Sequence, residues 1–340
     1  MNNIRLLGIG LGTLSILVLG TIFLKAEGFD DLKLRYSFLT KHFSDQSLEL
    51  VDSGNRNTNS VQNNRIDLTE ILSGGPPPEG IPSIDRPQFD TAADTPFNRE
   101  EVVIGLVVNG EARAYPLGIM NWHEIVNDTV GGKNITVSYC PLCDTIVAFD
   151  RQKSTFGVSG KLYQSCLVMY DRQDGTLYAQ PWGLGVVGEK VNQSLERVVT
   201  VKTTLGEWLK KHPDSQILST NTGHTRDYFR YPYGSYTRNE ELIFPVRHQD
   251  QLQLHPKAIV SYVWEADNQT PANQFSGASQ QFAHDELKQA KEKVVPFGDR
   301  QIRARWDQEL NTVIVEELDG TTIPSSTAFA FVYPGFFGES

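Results

Sequence analysis

Apolar residues in this chain recur mostly in short alternating runs, the period of strands rather than of helices. Val102–Val108 is followed by Asn109-Gly110 and then by an apolar-alternating run at 112–115, which together predict a tight hairpin. Residues 135–139, 145–149, 156–159, 167–170 and 177–180 read as further strands. The alternation breaks at 117–126, where Ile119, Trp122 and Val126 fall at helical spacing and predict a short helix carrying His123 and Glu124. Thr204 and Glu207 form a capping-box pattern that opens a second helix, closed by Pro213, with Trp208 on its inner face. The expected fold class is mainly β, a β-rich α+β body with a few short helices.

The last third repeats this grammar weakly. Residues 259–264 answer the strand at 102, and 313–320 answer 167–175, a pattern consistent with a degenerate internal duplication. Between them, residues 268–293 are polar and rich in Gln, Ala and Ser, and read as a surface insertion with one exposed helix at 284–293.

The amino-terminal end has a different pattern. Residues 6–24 carry no charge, with Arg5 before them and Lys25 after, and are nearly long enough to span a bilayer as a helix. Leu24-Lys25-Ala26 is a poor cleavage site, so residues 1–27 are expected to be an uncleaved signal anchor that attaches the protein to a membrane. Lys25, Lys33, Arg35 and Lys41 argue for a cytoplasmic body by the positive-inside rule, but a short basic leader is the usual export arrangement and long domains translocate largely regardless of charge. The body is therefore expected outside the cytoplasm. Residues 28–65 end in a polar Asn- and Ser-rich tract and read as a flexible stalk, with the folded body at 66–340.

The formal charge of −10 and the lack of basic runs interleaved with aromatics exclude nucleic acid as an expected partner. With 340 residues, the chain is long enough for a large core.

Candidate chemistry centres on Cys140-Pro141-Leu142-Cys143, which contains two of only three cysteines. The runs on either side read as strands, so the pair is expected at a strand-to-strand turn. A thioredoxin-type motif would instead place its first cysteine at a helix start, where the positive helix end lowers the thiol pKa. The spacing suits a metal knuckle, with His123 as a third ligand and Met169, Cys166 or His248 as a fourth. Two thiolates with an imidazole and a thioether favour copper, and a closed Cys/His set suits zinc. The expected metal ligands are therefore His123, Cys140, Cys143 and Met169, with copper preferred to zinc. Three alternatives stay open: a structural or redox disulfide, plain core packing, and a thiol enzyme with Cys140 as nucleophile and His123 as base.

Several motifs resemble one family. Gly74-Gly-Pro-Pro-x-x-Gly-Ile-Pro-Ser-Ile-Asp85, Asn109-Gly-Glu-Ala-Arg-Ala-Tyr-Pro116, Asn121-Trp-His-Glu-Ile-Val-Asn-Asp128 and Tyr139-Cys-Pro-Leu-Cys143 occur in this order. Gly157-x-Ser-Gly-x-Leu-Tyr163, Met169-Tyr-Asp-Arg172 and Leu218-Ser-Thr-x-Thr-Gly223 follow them. Together they resemble the exported proteins grouped as domain of unknown function 3179, over roughly residues 70 to 260. The resemblance implies no established activity. Two positions depart from the family pattern: Cys166 stands where that segment has Asp, and Gln180 follows Tyr-Ala rather than Trp-Ser.

Other features carry less. Gly183-Leu-Gly185-Val-Val-Gly188 matches a dinucleotide fingerprint in spacing but lacks a following helix, so it reads as a turn and no nucleotide cofactor is expected. Glu124, Asn127 and Asp128 are candidates to orient His123 or to act as an acid/base pair. Ser159, Tyr163, Asp171 and Gln180 are candidates for a pocket lining. Trp122, Trp182 and Trp208 read as core.

Overall fold

The computed structural model describes residues 66–265 and 277–338. The expected anchor and stalk at 1–65 lie outside the described residues. Among those described, no helix is long and apolar enough to cross a membrane.

Among the described residues, five sheets and four short helices make the body mainly β, as the alternation predicts. A four-stranded sheet lies at the centre, in the order Glu196–Val198, Thr145–Asp150, Lys133–Cys140, Ile125–Val130. Its strands bury both faces. Ile146 and Ala148 join one apolar cluster while Val147 and Phe149 join another, as a period of two requires. On one side it packs against an outer sheet of Ile71–Ser73, Phe156–Tyr163, Cys166–Asp171, Leu177–Ala179 and Leu184–Val187. The other side meets a sheet of Val201–Thr204, Val102–Val108, Glu111–Pro116, Gln216–Leu218 and Phe89–Asp90.

Two local expectations are met in detail. Asn109 and Gly110 both take positive φ, 49° and 84°, between strands paired from Val103 to Glu111. The capping box is complete: Thr204 Oγ1 accepts from the Glu207 amide at 3.3 Å, and Glu207 accepts from the Thr204 amide at 3.3 Å. The helix they open, α2, spans Leu205–Lys211.

The helix α1, Leu117–His123, ends sooner than its spacing suggests. Glu124 takes φ 59°, its amide donating to the Met120 carbonyl and its own carbonyl accepting from the Tyr139 amide, so Val126 lies in the strand that follows. The polar stretch near 280 also differs from a simple exposed insertion. Ser279–Ala283 pairs along Ile259–Trp264, and helix α3, His284–Ala290, stops before a strand at Glu292–Phe297. Buried Phe282 and Leu287 are enough apolar anchorage to dock this otherwise polar segment. The proposed duplication finds no echo in topology: Val102–Val108 lies inside a five-stranded sheet, Ile259–Trp264 inside a three-stranded one.

Between Leu218 and Ile259 the chain runs for residues 219–258 with only two short 3-10 turns, Tyr236–Arg238 and Gln249–Gln251. A connection of this length without regular structure is uncommon and usually functional. It is tied down by side chains. Lys257 Nζ, buried, donates to the carbonyls of Tyr236 at 2.5 Å and Glu241 at 2.7 Å and to Asn239 Oδ1 at 3.0 Å. The Arg247 amide donates to Gln164 at 2.6 Å, and its guanidinium pairs with Glu70 at 3.3 Å. This strap lays Tyr236 and Phe244 against the cluster that contains the cysteines. Helix α4, Val332–Phe337, completes that core.

Candidate thiol site

Cys140 ends its strand opposite Thr145, and residues 141–144 make the turn between them. The Cys143 amide donates to the Cys140 carbonyl at 3.3 Å, Pro141 presets the first corner, and Asp144 takes φ 52° to rejoin the next strand. The expected strand-to-strand turn is therefore present. By strand alternation Cys140 shares a face with Ser138 and Thr136, the face turned toward the first outer sheet.

All three cysteines are free and buried, and they meet. The Cys143 thiol lies close enough to both Cys140 and Cys166 for the three to interact, and its sulfur lies 3.1 Å from Thr145 Oγ1. Gln180, fully buried, fixes this meeting. Its amide donates to the Leu167 carbonyl at 3.0 Å, beside Cys166, while its Nε2 donates to the Thr145 carbonyl at 3.0 Å and to Ser138 Oγ at 3.2 Å. Burial pushes the Cys140 and Cys143 thiols well above their usual range and Cys166 up to about 11, so all three are protonated at neutral pH.

Glu124 is the second component. The helix-to-strand elbow turns its carboxyl inward, buried, close enough to Cys140 for their charges to interact. Burial raises this carboxyl to about 8, and its one hydrogen bond, from the Tyr233 hydroxyl at 3.5 Å, is too long to offset the lost hydration. Positive φ at a non-glycine residue costs of order 1–3 kcal/mol and is concentrated at functional sites. Tyr231, also from the strap, has a buried hydroxyl without a hydrogen-bond partner and acts electrostatically on Cys140 and Asp144. Asp144 is itself held by the Tyr139 hydroxyl at 3.0 Å and by Lys202.

His123 is not part of this group. Its Nδ1 lies 2.7 Å from the Pro82 carbonyl, which can only accept, so Nδ1 carries the proton. Its Nε2 then accepts from the Tyr228 hydroxyl at 2.7 Å, and Tyr228 in turn shares a 2.5 Å hydrogen bond with Thr222. Burial lowers this imidazole to about 4, keeping it neutral. With both ring nitrogens engaged, the expected convergence of His123 with Cys140 and Cys143 is not seen. Met169 lies three residues along its strand from Cys166, hence on the opposite face. His248 sits in the strap, 3.4 Å from Gln251. Among the described residues no group of three or more His, Cys, Asp or Glu side chains is placed to hold a metal ion, and copper binding draws no support from this geometry.

The remaining candidates hold the fold together. Asn127 accepts from Thr136 at 2.8 Å and the Phe156 amide at 3.1 Å and donates to Asp85 at 2.7 Å, stitching the central sheet to the outer one and to the entry segment. Asp128 accepts from the Tyr115 hydroxyl at 2.7 Å. Ser159 bonds the Val168 carbonyl, Tyr163 meets Arg247, and Asp171 is shared by Ser154 and Lys190, whereas Gln180 bonds the Leu167 and Thr145 carbonyls beside the thiols. The stretch from Gly183 to Gly188, expected as a turn, instead forms a strand at Leu184–Val187 that pairs with Leu177–Ala179. Trp182 and Trp208 are core residues, and Trp122 packs against the core at its edge. Two open surface clefts of about 490 and 570 Å³ include none of the thiol-site residues. The strap tyrosines had no detectable signal in the sequence, because residues 219–258 have no periodicity to say which side chains point inward.

No curated protein and no solved structure matches the chain. The motif resemblance stopped near residue 260, but the family model runs through the tail: matching it over residues 78–340, the chain belongs to the family described as protein of unknown function, DUF3179.

Proposed function

We propose that the chain carries a redox-active dithiol, Cys140 and Cys143, whose reversible closure to a disulfide is coupled to proton transfer through Glu124. The observation that carries this reading is the turn that holds Cys140 and Cys143 together in the buried interior, with the buried Glu124 carboxyl, raised by burial to about 8, acting electrostatically on Cys140. Dithiol oxidation releases two protons and two electrons, and the attacking species is the thiolate. Two thiols pushed up by burial do not ionise unaided near neutral pH. A carboxyl that titrates near 8 in the same dry interior is matched to take the Cys140 proton and return it. The electrons pass to a disulfide of a small molecule or a partner protein, which is reduced to its thiols.

The turn supports closure. Its first and fourth residues are held within about 7 Å by the β-turn itself, inside the Cα range of about 4.4–6.8 Å that disulfides use for most of that span. Cys140 is 2% exposed and Cys143 fully buried, so the strap must give way for a large partner to reach them. This reading places the reaction in a body carried outside the cytoplasm by the amino-terminal anchor, where disulfides form and persist.

The test is equilibration of the full-length protein in glutathione buffers of graded potential, followed by alkylation and counting of free thiols. A single two-electron transition that disappears in Cys140→Ser and changes its pH dependence in Glu124→Gln is expected. Retention of all three thiols across the range would overturn the proposal.

A further inference from the structure

Cys166 is not needed for a dithiol, yet it lies in the same thiol cluster. Cys143 is the middle sulfur of the buried cluster, close enough to interact with Cys140 on one side and Cys166 on the other. Backbone architecture enforces the second contact as firmly as the turn enforces the first. Gln180 bridges the Leu167 and Thr145 carbonyls, at 3.0 Å each, and so clamps the strand that begins at Cys166 to the strand that follows Cys143. The Thr145 hydroxyl lies against Cys143 at 3.1 Å and interacts with Cys166 as well. All of these residues are buried, so neither segment can drift from the other without opening the core.

We propose that Cys166 is the third member of a thiol relay centred on Cys143, moving the disulfide from Cys140–Cys143 to Cys143–Cys166 by intramolecular exchange. This rests on the dithiol reading above. In the step, the Cys166 thiol gives up its proton and its sulfur attacks Sγ of Cys143. The Cys143–Cys166 bond forms, the Cys140–Cys143 bond breaks, and Cys140 leaves as a thiolate that takes up the proton. One disulfide and one thiol are present before and after, so no further oxidant is consumed. The outcome is that the oxidising equivalent is stored in the fully buried pair while Cys140, the thiol beside Glu124, is returned to its reduced form.

Disulfide mapping distinguishes the relay from the dithiol. Full-length wild type, Cys140→Ser, Cys143→Ser and Cys166→Ser are treated with diamide under native conditions, alkylated, digested and analysed by mass spectrometry, with circular dichroism confirming that each variant is folded. Wild type is expected to yield both Cys140–Cys143 and Cys143–Cys166 peptides. Cys166→Ser should give only the first and Cys140→Ser only the second, while Cys143→Ser keeps both remaining thiols free. If Cys140→Ser retains both thiols under conditions that close Cys166→Ser, and wild type yields only Cys140–Cys143, the relay is overturned and the dithiol stands. If Cys166→Ser and wild type form no Cys140–Cys143 bond, both fall. The wild-type mapping decides the matter even where a serine variant fails to fold.

Discussion

The Tyr236 hydroxyl donates a 2.7 Å hydrogen bond to the carbonyl of Leu142, joining the strap to the middle of the cysteine turn. These two residues are far apart in sequence, and the bond lies in a buried region where neither group has water to fall back on. Tyr236→Phe leaves the Leu142 carbonyl short of its donor, and the cost expected for an unsatisfied buried acceptor is about 1–3 kcal/mol. Urea unfolding should show that loss. Thiol labelling by a bulky reagent should also speed up, because the strap over the turn opens more often. A variant with wild-type labelling rate would show that the strap does not control access.

Glu124 gives the fold a pH dependence of definite sign. Its carboxyl titrates near 8 when folded and near 4.5 when free, so between these values the folded state holds a proton that the unfolded state has released. Stability from this group is complete below about 4.5, falls as pH rises through the window at no more than about 1.4 kcal/mol per unit, and is flat above about 8. Glu124→Gln removes the titration. The difference in unfolding free energy between the variant and wild type, measured at pH 5, 6.5 and 8, should move steadily in favour of Gln as pH rises. A difference that does not change with pH would place the Glu124 carboxyl in solvent.

Much of this fold was legible in the sequence, and the reasons why are local. The Asn109-Gly110 hairpin and the Thr204 to Glu207 capping box are set by residues a few positions apart, where turn and cap chemistry suffice. The placement of Cys140 and Cys143 at a turn followed from the alternation of the strands on either side. His123 was misplaced because its partners are Pro82 and Tyr228, 41 and 105 residues away, and no spacing rule reports on such pairs. Glu124 was visible only as an acid next to a histidine. Its importance comes from burial, which the elbow at φ 59° creates.

His123 should oppose Glu124 in acid. Its imidazole is lowered to about 4 by burial, against an ordinary value near 6.5, so the unfolded chain takes up a proton that the folded one refuses. The stability this group contributes is therefore present above about 6.5 and lost as pH falls toward 4, at no more than about 1.4 kcal/mol per unit. His284, with its Nε2 2.9 Å from Ser261 and its value also lowered to about 4 by burial, acts in the same direction. His123→Phe should be less stable than wild type at pH 7, because Pro82 and Tyr228 lose their partner, yet the gap should narrow as pH falls from 6.5 to 4.5. A gap that stays constant over that interval would mean that His123 is protonated in the folded state.

Two glycines with nearly the same backbone separate steric from conformational cost. Gly160 takes φ 71°, and a Cβ there would lie 2.0 Å from the Pro76 carbonyl oxygen. Gly175 takes φ 79° with nothing within 4 Å of the same position. Left-handed backbone costs an alanine roughly 1–2 kcal/mol at either site, so that part cancels in the comparison. What remains at Gly160 is a collision with main chain, which no rotamer change relieves. The Gly74 amide donates to the Gly160 carbonyl at 2.8 Å and the Glu79 amide to the Val158 carbonyl at 3.0 Å, so relief requires the entry segment to lift off the sheet and break these bonds. Thermal unfolding of the two alanine variants should therefore show Gly160→Ala less stable than Gly175→Ala by at least about 2 kcal/mol, the scale of overpacking a close contact. Equal losses would mean that the Gly74 to Gly80 segment is not pressed against the sheet in solution.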